Sequence, residues 1–445
     1  MLGRRVIVAC VLCIVLLGAM MTYGAATKVT YFHRSTRTEL NWAEEVIRRF
    51  EMSHPDIEVE LWDSGTDGGS AYQEKLTVLR AAGNAPDVFA GYADKLGFIV
   101  RGFAADITPL AERDKAELDI DGFFPGVWET PTYQGRQYGI PLAITTQLVF
   151  YNVDMLLKHA LPRLPADWDD TTWTWDRLLE YGKRLTVVDA NGNFVQLALT
   201  QATENKLCDV CWMFGGDWFE PQAYETGWVD RVTLTREENI RAYRALVELY
   251  ANYAAAGPPK GLSRWTDFVQ GKIAMDWIGG FRMDTILNTR QSGGIKFDIA
   301  IGPVPLVNNR ANTRWTDPLF MSSTTKNPEA AWAFMKYATN HESQELWVKI
   351  TRKMPARRTA SVLYIDALSD VFAMSKAEIS SALGGSVVHS RRSIEEAIFD
   401  VPMEIIRQTS TWITPMLEGK RPVESTLEGF EAYLNAYAQE LKARL

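Results

Sequence analysis

Two alternating apolar segments on either side of one amphipathic stretch, all within about 35 residues, constrain this chain more than any other feature. Val29, Tyr31 and His33 alternate with polar neighbours, and so do Ile57, Val59 and Leu61, which is the period-two pattern of a strand. Between them Leu40, Ala43, Val46, Ile47 and Phe50 recur at helical spacing, behind a capping box at Thr36-Arg37-Thr38-Glu39. Strand, helix, strand at this length is a βαβ unit, which favours a parallel sheet with a right-handed crossover. A helix over 72–82, the turn Gly83-Asn84-Ala85-Pro86 and a buried strand at 87–91 extend one open α/β layer.

A second α/β block begins after Ile140-Pro141. Leu148-Val149-Phe150-Tyr151 reads as a strand, and amphipathic helices recur at about 175–185, 236–254 and 425–443. Residues 297–305 read as a strand running into a proline-braked crossing. Asn327 with Pro328 opens a helix that carries Ala331, Trp332, Phe334, Met335 and Tyr337 and ends near Asn340-His341, where a further crossing is expected. The two blocks therefore interleave along the chain. Asp189-Ala190-Asn191-Gly192-Asn193 lacks the Gly at the sixth position and the Glu at the twelfth of a calcium loop, and reads as a hairpin turn.

The first 26 residues read as an address. Arg4 and Arg5 precede an uncharged apolar run from Val6 to Met21, and Gly24-Ala25-Ala26 offers a cleavable small-residue site: a secretory signal peptide. Export leaves Cys208 and Cys211 as the cysteines of the mature chain. A Cys208–Cys211 disulfide is expected, with free thiols or a redox pair as alternatives. The net charge of −8 argues against a nucleic-acid partner, since phosphate binding needs a basic face.

Signatures of catalysis are sparse. Five His residues form no i, i+4 pair, so no metal site is expected and no cofactor is implied. No G-x-S-x-G, P-loop or G-x-G-x-x-G occurs, and Ser323-Thr324-Thr325-Lys326 matches S-x-x-K without its companion motifs. Asp63, Asp217 and Asp276 stand beside Trp residues, which keeps a secreted glycoside hydrolase open as an alternative. The chain instead carries 15 Trp, several beside glycines and small polar groups near strand ends. A flat ring over a C–H face, with carboxylate and amide neighbours taking hydroxyls, suits a neutral polyol.

Several segments resemble the extracellular solute-binding proteins of ATP-driven (ABC) importers, in the sugar-binding group typified by maltose-binding protein. They are Trp42-Ala43-Glu44-Glu45-Val46-Ile47-Arg48-Arg49-Phe50-Glu51 with His54-Pro55-Asp56-Ile57-Glu58-Val59, Ala85-Pro86-Asp87-Val88, and Tyr138-Gly139-Ile140-Pro141 with Tyr151-Asn152. Further along come Phe268-Val269-Gln270-Gly271-Lys272-Ile273-Ala274-Met275, Lys326-Asn327-Pro328-Glu329-Ala330-Ala331-Trp332 and Met354-Pro355-Ala356.

The resemblance implies a two-lobed α/β fold of the periplasmic-binding-protein type (type II), with a ligand cleft between lobes joined by hinge crossings. On it, 27–140 with 306–339 form one lobe and 141–305 with 340–445 the other. Ligand contacts are then expected at Arg34, Ser35, Trp62, Asp63, Ser64, Gly65, Tyr92 and Asp94. The facing side supplies Thr145, Thr146, Gln147, Asp217, Trp218, Trp277, Gly279, Gly280 and Phe281, with Trp315 and Arg357 added. Thr145-Thr146-Gln147 stands where the maltose binder has an acid, which puts maltose itself in question. The implied protein is an exported, non-enzymatic monomer, periplasmic or at the cell surface. It passes a sugar or oligosaccharide to membrane permease subunits. A phosphorylated polyol is the other solute considered, because Arg34, Arg37 and Arg357 could face the ligand.

Overall fold

The computed structural model describes residues 26–92, 95–201, 206–254, 261–262 and 264–444, so the segment read as a signal peptide lies outside the described residues up to position 25. The first layer starts with strand β1 (Thr27–His33), helix α1 (Arg37–Ser53) and strand β2 (Ile57–Asp63). β1 and β2 pair in parallel, as the βαβ spacing requires. α1 buries Leu40, Ala43, Val46, Ile47 and Phe50, the stripe visible in its sequence. Helix α2 (Gly69–Ala81), strand β3 (Val88–Ala90), parallel to β1, and helix α3 (Lys95–Val100) complete this layer's first passage. A small hairpin of β4 (Thr132–Tyr133) and β5 (Arg136–Gln137) precedes the long strand β6 (Gly139–Asn152).

The second layer contains helix α4 (Trp175–Leu185), the hairpin of β7 (Val187–Val188) and β8 (Phe194–Gln201), and helices α5 (Lys206–Met213) and α6 (Glu237–Asn252). Strands β9 (Ile273–Gly279) and β10 (Ile299–Gly302) follow. The chain then forms β11 (Asn312–Met321), helices α7 (Pro328–Ala338) and α8 (His341–Thr351), the short strand β12 (Ser390–Arg392), helix α9 (Ile394–Ala397) and the terminal helix α10 (Val423–Arg444). The sheet order is β2-β1-β3-β11-β6-β9-β8-β7, with β10 on β6 and β12 on β11.

β6 and β11 form the waist. Gly139 to Thr146 of β6 pair with β11, whereas Gln147 to Tyr151 pair with β9, so β6 changes partner between Thr146 and Gln147. At that switch the Asn312 side chain takes over from the ladder. It accepts from the Gln147 N–H at 2.9 Å and donates to the Gln147 and Ser386 carbonyls, each at 3.1 Å. Only 148–151 is read as strand in the sequence, because Pro141 and Thr145-Thr146-Gln147 interrupt the apolar run. Pro141 is tolerated because it lies opposite Pro318, beside the irregularity between Asp317 and Pro318, where no ladder donor is required.

Two sequence expectations need correction. The break at 339/340 does not end the first layer. Asn340 caps α8 by accepting from Ser343 N at 2.8 Å, and α8 packs on α1 through the Trp42 indole, which donates to Ser343 O at 2.9 Å. Trp42 and Trp347 meet edge to face with centroids 5.1 Å apart. The return passage comes after α8, where the segment 352–357 runs beside β6: Ile144 N donates to Met354 O and Ala356 N to Leu142 O.

The second correction concerns Cys208 and Cys211, which are free, buried thiols on α5. Within a helix, residues three apart keep their Cβ atoms about 5–6 Å apart, beyond the roughly 3.5–4.5 Å a disulfide needs. Burial raises both thiol pKa values, so neither is a ready thiolate. Unreduced mature protein should show two titratable thiols per chain in denaturant; none would restore the disulfide.

Candidate ligand-binding site

In an open α/β sheet ligands bind beyond the carboxyl ends of the strands, and a cavity of about 500 Å³ opens there, at the waist. Arg34 and Thr36 reach it from behind β1, Asp67 to Gly69 from behind β2 and Tyr92 from behind β3, with Lys95 at the start of α3. The waist contributes Thr145 of β6, Trp315 and Asp317 of β11, and Lys353 of the return segment. Trp347 of α8, Phe281 behind β9 and Glu395 of α9 complete the wall.

Two aromatics offer faces to this space. Phe281 is 47% exposed, unusual for a large apolar side chain in this protein. Gly279 makes its position possible, because a Cβ there would come within 2.5 Å of the Phe281 ring. Trp315 is half-buried, and its indole N–H donates to Glu395 Oε2 at 2.8 Å, which fixes the plane of the ring.

The charged groups are tightly organised. Buried Glu39 accepts from Arg34 Nε at 2.5 Å, from a second Arg34 nitrogen, and from Lys353 Nζ at 2.6 Å. The Arg34 guanidinium lies 4.0 Å from the Tyr92 ring centroid, and Tyr92 O–H donates to Glu39 at 3.3 Å. Burial alone would raise the Glu39 carboxyl. The charge and hydrogen bonds of Arg34, joined by Lys353, outweigh it and hold the group well below the usual carboxylate range. Burial likewise pushes Tyr92 up and His33 beneath it down, so both are neutral near pH 7. On the far side Lys95 pairs with Glu396 at 2.5 Å, and Asp317 stands 3.5 Å from Arg34 and 3.8 Å from Lys95.

Of the residues expected at the site, Arg34, Tyr92, Thr145, Phe281 and Trp315 line the cavity, and Gly279 and Gly280 form the turn that carries Phe281. The others are placed elsewhere. Trp62, Asp63 and Ser64 border a separate open groove along α2, beside Lys75, Val78 and Leu79. Gly65, with φ +63°, turns the chain next to the Lys75 ammonium, and the Ser35 hydroxyl donates to Asp63 at 3.1 Å. Thr146 is buried against the Ser386 hydroxyl at 2.7 Å, and the Gln147 amide donates to Asp209.

Asp217 is held by Arg391 at 3.0 Å and by the Tyr224 hydroxyl at 2.6 Å. Trp218 and Trp277 are core residues, each 1% exposed. Arg357 is buried and donates to backbone carbonyls. Asp94 lies outside the described residues. Asp276 is buried on β9 with the Thr200 hydroxyl at 3.3 Å, so Asp63, Asp217 and Asp276 do not converge on the cavity.

Sequence reasoning missed Glu39, Lys95, Asp317, Trp347, Lys353 and Glu395. Glu39 had a signal that pointed elsewhere: it reads as the partner of a capping box, yet Thr36 makes no side-chain cap bond and the carboxyl binds Arg34 instead. The remainder come from five separate parts of the chain, and nothing local marks them.

The sequence profile of the family described as bacterial extracellular solute-binding protein matches residues 35–345, well over half of the chain. The chain belongs to this family. Among its relatives, a putative binding protein of Brucella abortus is 22% identical over 300 residues, covering 66% of this chain and 67% of that protein. The maltodextrin-binding protein MdxE of Bacillus subtilis is 25% identical over 303 residues, 64% of each chain.

Solved structures agree on the architecture. An ABC substrate-binding protein of Listeria monocytogenes in complex with cycloalternan superposes with a TM-score of 0.75 at 22% identity, over 93% of this chain and 99% of that one. UgpB of Mycobacterium tuberculosis in complex with glycerophosphocholine gives 0.73 at 19% identity, over 94% and 100%. The fold of this solute-binding protein is therefore the two-lobed periplasmic-binding-protein type, with its cleft between lobes joined by hinge crossings. As a member of an extracellular family it works outside the cytoplasm.

Proposed function

We propose that this solute-binding protein captures a sugar or short oligosaccharide in the waist cavity and delivers it, unaltered, to the membrane subunits of an ABC importer. One observation carries the reading: a cavity of about 500 Å³, inside the range of small-molecule sites, is flanked by the exposed Phe281 ring and the fixed Trp315 indole, with hydroxyl and carboxylate groups between them. Rings of this kind cover the C–H face of a pyranose while polar neighbours take its hydroxyls. Support comes also from the maltodextrin-binding relative and from the structural neighbour solved with cycloalternan.

The lobes meet where β6 changes partner, along β11, and at 352–357. On this reading the first lobe comprises about 27–142 with 318–351, and the second lobe the remainder. Hinge closure is the established behaviour of periplasmic binding proteins as a class, and a ligand that touches both lobes favours the closed form by its differential affinity. The mature protein is an exported monomer at the periplasm or cell surface, cut near Ala26, with no turnover of its ligand.

A thermal-shift panel of neutral mono- and oligosaccharides, with product chromatography on the same samples, tests this reading. Stabilisation without new products is expected; product formation would make it a hydrolase. With the best sugar of that panel, Phe281→Ala and Trp315→Ala should each weaken calorimetric affinity roughly tenfold or more, about 1.4 kcal/mol. Unchanged affinity in both variants would reject the cavity as the site.

A further inference from the structure

Among the described residues the cleft holds three cations, Arg34, Lys95 and Lys353, each paired with a carboxylate. Glu39, with no exposed surface, takes both Arg34 and Lys353. Glu396 takes Lys95 while also facing Arg314 and Arg392 from behind. Asp317 stands between Arg34 and Lys95, 3.5 and 3.8 Å away, with its side chain 26% exposed toward the cavity it lines. Asp67 and Glu395 add two more acids to the wall.

We propose that Glu39 and Asp317 set the charge selectivity of this cleft, making it a site for uncharged, hydroxyl-rich ligands and closing it to phosphorylated or carboxylated ones. An anion entering the cavity would have to draw Arg34 away from a bidentate buried carboxylate, the strong form of such a pair. It would also meet Asp317 and the more exposed Asp67 as like charges on the cavity wall. Glu39 is no solvated ornament: buried, it is held ionised by Arg34 and Lys353. Of the three arginines that could favour a phosphorylated solute, Arg34 alone lines the cleft, and it is committed.

The inference rests on the waist cavity being the ligand site. Its test uses inorganic phosphate and glucose 1-phosphate as probes, by calorimetry at low salt, on the mature wild type, Asp317→Asn and Glu39→Gln. The wild type should bind neither probe as well as the best neutral sugar. Both variants should bind the probes roughly tenfold or more better than the wild type, with affinity that falls as salt rises. A mere loss of structure would not create affinity for an anion. Should Glu39→Gln fail to fold, Asp317→Asn carries the test, because its side chain is partly exposed. A folded Asp317→Asn with wild-type phosphate affinity, or a wild type that prefers the probes to neutral sugars, overturns the proposal. Failure of the cavity itself shows separately, as unchanged sugar affinity in Phe281→Ala and Trp315→Ala.

Discussion

Replacing Trp277 with alanine should destabilise the fold by about 3–5 kcal/mol, a large share of the roughly 5–15 kcal/mol that holds a typical domain together. Trp277 sits on β9 between Val149 of β6 and Gln201 of β8, with 1% of its surface exposed. Val149, its partner on β6, is itself interior, so the space left by the indole is walled by sheet backbone that relaxes little. Urea denaturation reads the effect as a lower midpoint at an unchanged slope. Sugar affinity of the remaining folded protein should match the wild type. Loss of affinity with an unchanged midpoint would put the indole in the cleft and reverse the placement described above.

Trp277 also shows where sequence reasoning stops. Asp276-Trp277-Ile278-Gly279-Gly280-Phe281 follows an apolar stretch, and its Trp277, Gly279, Gly280 and Phe281 read as ligand contacts. Burial decides otherwise: every residue of β9 is interior, so Trp277 is fixed in the core, while Phe281, beyond the strand's end, lines the cavity. The βαβ unit and helices such as α4, which begins and ends at Trp175 and Leu185 as its pattern predicts, were legible because their periodicity is local. β11 was not. It carries Arg314, Asp317 and Pro318, a strand-poor composition, and it forms because β3 and β6 lie on either side to pair with it. Apart from Arg34, the cavity's charged groups were invisible for the same reason, since Glu39, Asp317 and Lys353 meet it only after the waist has assembled.

Arg357→Met tests that assembly directly. Arg357 was expected to face a ligand; instead its side chain, 3% exposed, donates from Nε to Thr339 O at 2.7 Å and from its two terminal nitrogens to Asp119 O at 2.9 Å and Leu118 O at 2.7 Å. The guanidinium also covers the Phe123 ring at 4.2 Å. Burial lowers its pKa, with the mostly exposed Asp119 carboxylate the opposing influence, so carbonyl dipoles do most of the work of holding the charge. Methionine keeps the stem and removes every donor. Leu118 O would then lose its donor, while Asp119 O keeps the Gly122 N–H at 3.0 Å and Thr339 O the Gln344 amide at 3.3 Å; a loss of about 1–3 kcal/mol is expected. Arg357→Lys should recover only part of it, because one ammonium does not reproduce the planar fork that reaches all three acceptors. Both variants should bind sugar as the wild type does, per folded molecule, since Arg357, the last residue of the return segment, does not line the cavity. A stable Arg357→Met with weakened sugar binding would make this arginine a ligand contact after all.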